Sequence, residues 1–156
     1  MLVKIVRRLT LEEVQGRIRA LEKTHGMTFE ELEELYLKKR LSRTMLRAYF
    51  DWAGLVHAYR GYIEDGELDY LVEEARDLGL DELSLLTPKR LDLLYALTSL
   101  RVQSINDLAQ KVRRNVKNVY QDLQVLRKLG FVVLRKRGKR NLVPEALVEE
   151  ITFMIR

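Results

Sequence analysis

The chain has 156 residues, 47% hydrophobic and 33% charged, with a formal net charge of +5, no cysteine and two histidines. This length admits one domain or two small ones around a buried core; the absent cysteines exclude a disulfide framework, and His25 and His57 alone cannot form a His/Cys metal cage, so no metal and no cofactor is expected. No run of eighteen apolar residues could span a bilayer and the opening MLVKIVRRLT has no apolar h-region, so a cytoplasmic protein with no membrane partner is expected.

Val3, Ile5 and Leu9 hint at a short strand. Thr10 and Glu13 then form a capping box ahead of apolar residues at Leu11, Val14, Ile18 and Leu21, with Gly26 as the stop. Thr28 and Glu31 repeat the signal before Phe29, Leu32, Leu35 and Tyr36, a second amphipathic helix ending near Arg40. Ser42 caps a third, Arg43 to Glu64, on which Met45, Tyr49, Trp52, Val56, Tyr59 and Ile63 share one stripe with Leu46, Phe50, Ala53 and His57 beside it. An aromatic stripe at this spacing is core before it is a ligand box, although a small apolar effector among Trp52, Tyr59 and Phe50 is an alternative. Opposite lie Gly54, Ala58 and Gly61, which would let another helix approach closely, inside the domain or across a dimer interface. Asp65-Gly66 ends the helix, and Leu68, Tyr70 and Val72 alternate briefly before a boundary near residue 80.

Thr87-Pro88 starts a helix whose core face is Leu91, Leu94, Tyr95 and Leu97 or Thr98, running to about Leu100. Ser104 with Asp107 caps a short helix, Ile105 to Lys111. A four-residue turn, Val112 to Asn115, leads into Val116 to Leu129, and Gly130 marks the end. This is helix-turn-helix spacing. Ala109 sits where the helices cross, Val119 packs back, and Val116, Leu123 and Leu126 complete the buried side of the second helix. Phe131 to Leu134 and Asn141 to Val143 read as two strands joined by the basic turn Arg135-Lys136-Arg137-Gly138-Lys139-Arg140, a hairpin directly after a recognition helix.

Charge is distributed unevenly. Residues 1 to 86 hold 13 Lys and Arg against 17 Asp and Glu, a net of −4, whereas residues 87 to 156 hold 15 against 6, a net of +9. Eleven of those cations lie between Lys111 and Arg140, with Asp122 the one acid among them. Such a segment is a candidate for binding a polyanion. The outward sector of the second helix holds Lys117, Asn118, Gln121, Gln124 and Lys128, with Asn115 at its start. Asn and Gln suit adenine edges, Lys suits guanine or phosphate, and a helix start suits a phosphate. Arg113 and Arg114 in the turn, and Arg135, Lys136, Arg137, Lys139 and Arg140 in the hairpin, suit backbone phosphate or the minor groove.

The stretch SINDLAQKVRRNVKNVYQDLQVLRKLGFVVLRKRGKR resembles the winged helix-turn-helix regulators of the MarR/ArsR-like superfamily, and LTPKRLDLLYAL before it resembles an archaeal branch of predicted regulators, some of them antitoxins. The likeness covers about Leu86 to Val143. Arg113 stands where the family's turn usually has glycine, a left-handed position that costs a non-glycine residue about 1 kcal/mol. The resemblance implies an antitoxin-like autoregulator with a basic, toxin-like protein partner held by the acidic first half.

The expected fold is mainly α: a helical dimerisation or partner-binding region over 1–80, then a winged helix-turn-helix over 81–156, α+β with a small β-hairpin wing. The expected function is a sequence-specific regulator of transcription binding double-stranded DNA. It would act as a homodimer, because one short recognition helix reads few base pairs, held by the helix from Arg43 to Glu64 and by Val148 to Ile155. The alternative is a winged-helix factor that contacts proteins of the transcription machinery. An enzyme is not expected: the sequence has no glycine-rich phosphate loop, no Cys nucleophile and no Ser/His/Asp grouping, so no catalytic residue is named.

Overall fold

The computed structural model describes residues 1–156. In chain order the elements are β1 (Leu2–Arg8), α1 (Leu11–His25), α2 (Phe29–Leu37), α3 (Arg43–Asp65), β2 (Leu71–Asp77), α4 (Leu80–Ser84), α5 (Pro88–Ser99), α6 (Ile105–Lys111), α7 (Val116–Lys128), β3 (Val132–Arg137), β4 (Asn141–Ala146) and β5 (Val148–Phe153). Two compact units emerge, one of Met1–Arg7 with Glu73–Arg156 and the other of Arg8–Val72. The first strand thus belongs with the C-terminal residues, as does the segment from Glu73 to Leu80.

This corrects the expected fold class of a helical N-terminal region followed by a C-terminal winged domain. The chain is 54% helix and 21% strand, opens on a strand, and carries seven helices with two small antiparallel sheets. A three-stranded sheet has the order β2-β1-β5 and a two-stranded sheet pairs β3 with β4. The miss has a physical cause. β1 finds partners near residues 74 and 150, and short-range periodicity carries no record of pairing across such separations.

Within Arg8–Val72 the local signals act as read. Thr10 accepts a hydrogen bond from the Glu13 amide at 3.2 Å and the Glu13 carboxylate accepts one from the Thr10 amide, closing the capping box of α1. Thr28 and Glu31 do the same for α2. α3 lies between two apolar clusters. On one side Trp52, Ala53 and Val56 meet Phe29 and Leu32; on the other Leu55 meets Leu9, Val14 and Leu68. His25 stacks on Trp52 with ring centroids 5.8 Å apart. Phe50, His57 and Ile63 are exposed and do not extend the core stripe. Gly54 is narrow for a ring and not for a helix: a Cβ there would lie 3.3 Å from Tyr70.

In the other unit β1 runs through the middle of its sheet, antiparallel to β5 in a register that sets Val3 opposite Phe153 and Ile5 opposite Ile151. Alternation puts Val3 and Ile5 on one face, fully buried against Leu93 and Leu94 of α5, Leu108 and Ala109 of α6, and Val119, Leu123 and Leu126 of α7. Each of these Val, Ile and Leu side chains stabilises the unit by roughly 1.5–3 kcal/mol. Of the segment Val148–Ile155, expected to help a dimer, Val148–Phe153 forms the edge strand β5, paired with β1 on one side. α5 is rotated from its expected orientation: Leu93 and Leu94 are buried while Leu91 and Tyr95 face solvent. Six of its residues from Leu91 to Leu97 are apolar, so apolar spacing alone did not single out a face.

A polar link ties this sheet to the end of α7. Arg7 donates to Glu74 at 2.8 Å, and Arg76 donates to Glu74 at 2.6 Å and to the Leu129 carbonyl at 2.6 Å. The Arg76 guanidinium also lies 5.7 Å from the Phe131 ring centroid. Burial opposes the charge on Glu74, but hydrogen bonds and charge from Arg7 and Arg76 outweigh it and hold the carboxyl below the usual glutamate range.

Candidate nucleic-acid interface

α6, the turn and α7 form because their caps and core positions agree. Ser104 accepts from the Asp107 amide at 3.0 Å, and Asn115 accepts from the Lys117 amide at 2.9 Å. Between them Arg113 adopts φ 55°, the left-handed conformation expected at this position. The turn is closed by Arg113 N–H to the Gln110 carbonyl and Arg114 N–H to the Ala109 carbonyl, at 3.1 and 3.0 Å, a Schellman pattern that satisfies the last carbonyls of α6. Ala109 is buried where the chain reverses, and Val119, Leu123 and Leu126 are fully buried.

Those burials aim the rest of α7 outward. Lys117, Asn118, Gln121 and Lys128 are exposed and Gln124 is half-buried. Residues 117, 121, 124 and 128 follow one another at i, i+4, i+7 and i+11, a single face spanning roughly 16 Å. Asn115 is exposed, but its carboxamide oxygen is engaged in the cap, which leaves only its NH2 to donate outward. Val116 departs from the expectation. It is 43% exposed and lies at the margin of the buried side. Sequence reasoning missed Tyr120, 44% exposed. Standing three residues after Lys117 and four before Gln124, it belongs to the same face by the same periodicity.

The basic residues separate into two groups. Arg114 is held by Asp122 at 2.5 Å, beside Arg90, which holds the other oxygen of that carboxylate at 3.0 Å. Arg135 pairs with Glu145 at 2.9 Å across the hairpin. These two arginines, expected to meet DNA, have partners inside the chain. Arg113, Lys136, Arg137, Lys139 and Arg140 are exposed with no ion pair. The strands of the hairpin are longer than read. Arg135, Lys136 and Arg137 belong to β3, with Arg137 opposite Asn141, and only Gly138 to Arg140 make the turn. Gly138 takes φ 68° there.

Trp52, Tyr59 and Phe50 do not share a cavity. Trp52 is fully buried, Phe50 is exposed, and Tyr59 lines a groove of about 350 Å³ with Ile18, Phe29, Val56 and the charged rim of Arg19, Glu22, Glu30 and Arg60. No group of three or more His, Asp or Glu side chains is placed to hold a metal ion, and no helix is long and apolar enough to cross a membrane.

Residues 85–152 match a family model described as HVO_A0114. The match begins just before α5 and ends within β5, so it takes in α6, α7 and the hairpin together. No curated protein and no solved structure matches the chain.

Proposed function

We propose that this protein binds double-stranded DNA sequence-specifically and regulates transcription. The observation that carries the reading is one continuous surface chemistry: the outward polar face of α7, followed in the chain by a hairpin with four unpaired cations. Gln121 and Asn118 supply paired donors and acceptors for base edges in a major groove, with Lys117 and Lys128 beside them. Arg113, Lys136, Arg137, Lys139 and Arg140 supply the sequence-independent attraction to phosphate. Arg114 and Arg135 are left out of this set, because removing them from Asp122 and Glu145 would strand a carboxylate. The resemblance to MarR/ArsR-like regulators supports the same reading, and its antitoxin-like branch supports autoregulation with a toxin-like protein bound through the N-terminal region, residues 1–80. The exposed Leu91 and Tyr95 on α5 favour a second reading, a factor that contacts other proteins through this unit. We assign the chain no catalytic role.

The test is a salt titration of duplex binding. Arg137→Ala, Lys139→Ala and Arg140→Ala together should weaken binding to every duplex and flatten the slope of log K against log salt by about 0.9 per lost phosphate contact. Gln121→Ala should relax preference among sequences by about 1–3 kcal/mol at its base while leaving the slope unchanged. Unaltered duplex affinity in the triple variant would overturn the assignment.

A further inference from the structure

Residues 8–72 carry twelve carboxylates against ten cations, but the two signs are not mixed. Between Glu34 and Asp51 stand Lys38, Lys39, Arg40, Arg43 and Arg47, with no acid among them. All five are exposed, and none is in an ion pair or side-chain hydrogen bond, whereas Arg60 of the same unit is held by Glu30 at 3.6 Å. Half the cations of this unit therefore form one unneutralised patch.

The turn beneath the patch places a cation at a backbone position that suits glycine. Lys39 adopts φ 54°. Its N–H meets the Tyr36 carbonyl at 3.0 Å and the Arg40 N–H meets the Leu35 carbonyl at 2.9 Å. This is the same Schellman closure that Arg113 makes between α6 and α7, and Lys39 and Arg113 are the two non-glycine residues of the chain with positive φ. In both turns a cation occupies the strained position, and in both the next helix starts from a polar cap, Ser42 or Asn115.

An aromatic platform adjoins the cations. On α3, Arg43, Arg47 and Phe50 stand at i, i+4 and i+7, one face over two turns. Phe50 is 56% exposed. It is braced edge-on by Tyr49 at 5.4 Å and Tyr36 at 6.0 Å, and those tyrosines stack on each other at 4.2 Å. An exposed ring fixed beside free guanidinium groups is the combination that holds a single nucleic-acid strand, phosphates on the cations and a base on the ring. A duplex keeps its base faces stacked and offers nothing to Phe50. A lipid surface would be met by few apolar side chains here, chiefly Leu37 and Phe50.

We propose that the turn joining α2 to α3, with the first two turns of α3, is a second nucleic-acid site, one that takes a single strand through Lys39, Arg43, Arg47 and Phe50. It is chemically separate from the α7 and hairpin surface, sharing no residue with it.

The experiment uses the full chain, labelled oligonucleotides of one sequence as single-stranded DNA, single-stranded RNA and duplex DNA, and anionic phosphatidylserine vesicles. Arg43→Ala with Arg47→Ala should weaken single-strand binding at least tenfold and flatten its salt slope by about 0.7 per lost contact, leaving duplex binding unchanged. Phe50→Ala should cost about tenfold on single strands with no change of slope. Lys39→Gly separates function from folding: it should raise the melting temperature, because glycine relieves the left-handed position, and still weaken single-strand binding. The DNA and RNA arms report which strand is preferred, and a preference for either supports the site. A chain with Lys117→Ala, Gln121→Ala, Arg137→Ala and Lys139→Ala should keep its single-strand affinity. Single-strand affinity unchanged in the arginine pair variant, or lost only in the α7 and hairpin variant, overturns the proposal, as does a patch that takes vesicles and ignores single strands. Failure of the duplex reading would show instead as duplex binding indifferent to the α7 and hairpin variant.

Discussion

Asp122, the one acid between Lys111 and Arg140, pairs with Arg114 of that run at 2.5 Å and with Arg90 outside it at 3.0 Å. All three side chains are largely buried, the carboxylate most of all, so the pairs are screened less than surface ones. Asp122→Ala leaves two arginines side by side without a counter-charge, and a loss of about 1–3 kcal/mol in urea unfolding is expected. The same change adds positive charge to α7, so non-specific duplex binding should hold or tighten. A variant as stable as the parent would show that the two pairs contribute nothing net. Arg113 gives the opposite sign. At φ 55° glycine removes strain of roughly 1–2 kcal/mol but adds freedom to the unfolded chain, so Arg113→Gly should stabilise by about 0.5–1 kcal/mol. It should also weaken DNA binding, and that divergence between stability and affinity is the readout. At this scale the sequence was legible in types and not in pairings. Lys136 and Arg135 are neighbours of equal charge, yet Arg135 finds Glu145 diagonally across the hairpin, two positions beyond its register partner Val143. Only the register shows which of the two remains free.

β1 shows how far one element can stand from where its sequence places it. Its Val3 and Ile5 are fully buried in the cluster that α5, α6 and α7 share, so a fragment from Leu85 to Arg156 lacks three buried core side chains, Val3, Ile5 and Leu78, and its sheet's central strand. That fragment should unfold at much lower urea than the full chain, and Ile5→Ala in the full chain should cost about 2–5 kcal/mol. Normal stability of the fragment would contradict the topology. The helices were legible because their signals are local: Thr10 with Glu13, Thr28 with Glu31 and Ser104 with Asp107 all cap as read. The sheet was not, since its pairings close across the length of the chain. The Arg7, Glu74 and Arg76 link makes the pH dependence of this element specific. Because the folded Glu74 carboxyl titrates below its ordinary value of 4.5, the stability it supplies is present above that value and is lost as pH falls through the lower, folded one. Glu74→Gln should therefore be less stable than the parent at pH 7, with the gap closing in acid. A gap that is the same at pH 7 and pH 3 would mean the charge on Glu74 has no part in it.

At the scale of the whole molecule the charges sort by unit: eighteen cations against eleven acids in Met1–Arg7 with Glu73–Arg156, a net of +7, and −2 in Arg8–Val72. A helix of thirteen residues reads few base pairs, so specific recognition by this protein is expected to need two copies on half-sites about 34–36 Å apart, or a multiple of that spacing. Of the surfaces expected to hold such a dimer, Trp52 and Val56 of α3 are buried in their own unit, and Val148–Phe153 pairs with β1 on one edge. On the unit of Met1–Arg7 with Glu73–Arg156, α5 presents an open apolar face where Leu91 and Tyr95 stand a turn apart, 43% and 73% exposed. Both lie outside the core that Leu93 and Leu94 enter from the same helix, so they can be changed without opening a cavity. Tyr95→Glu should leave the circular dichroism spectrum and the melting temperature as they are and convert a dimer to a monomer in sedimentation at micromolar concentration. Duplexes with two correctly spaced half-sites should then lose the advantage of a linked second contact, about 10²–10⁴ in affinity, while a single half-site is bound as before. A parent chain that sediments as a monomer and binds one asymmetric half-site as tightly as two would refute the dimer, and a dimer that survives Tyr95→Glu would move it off α5.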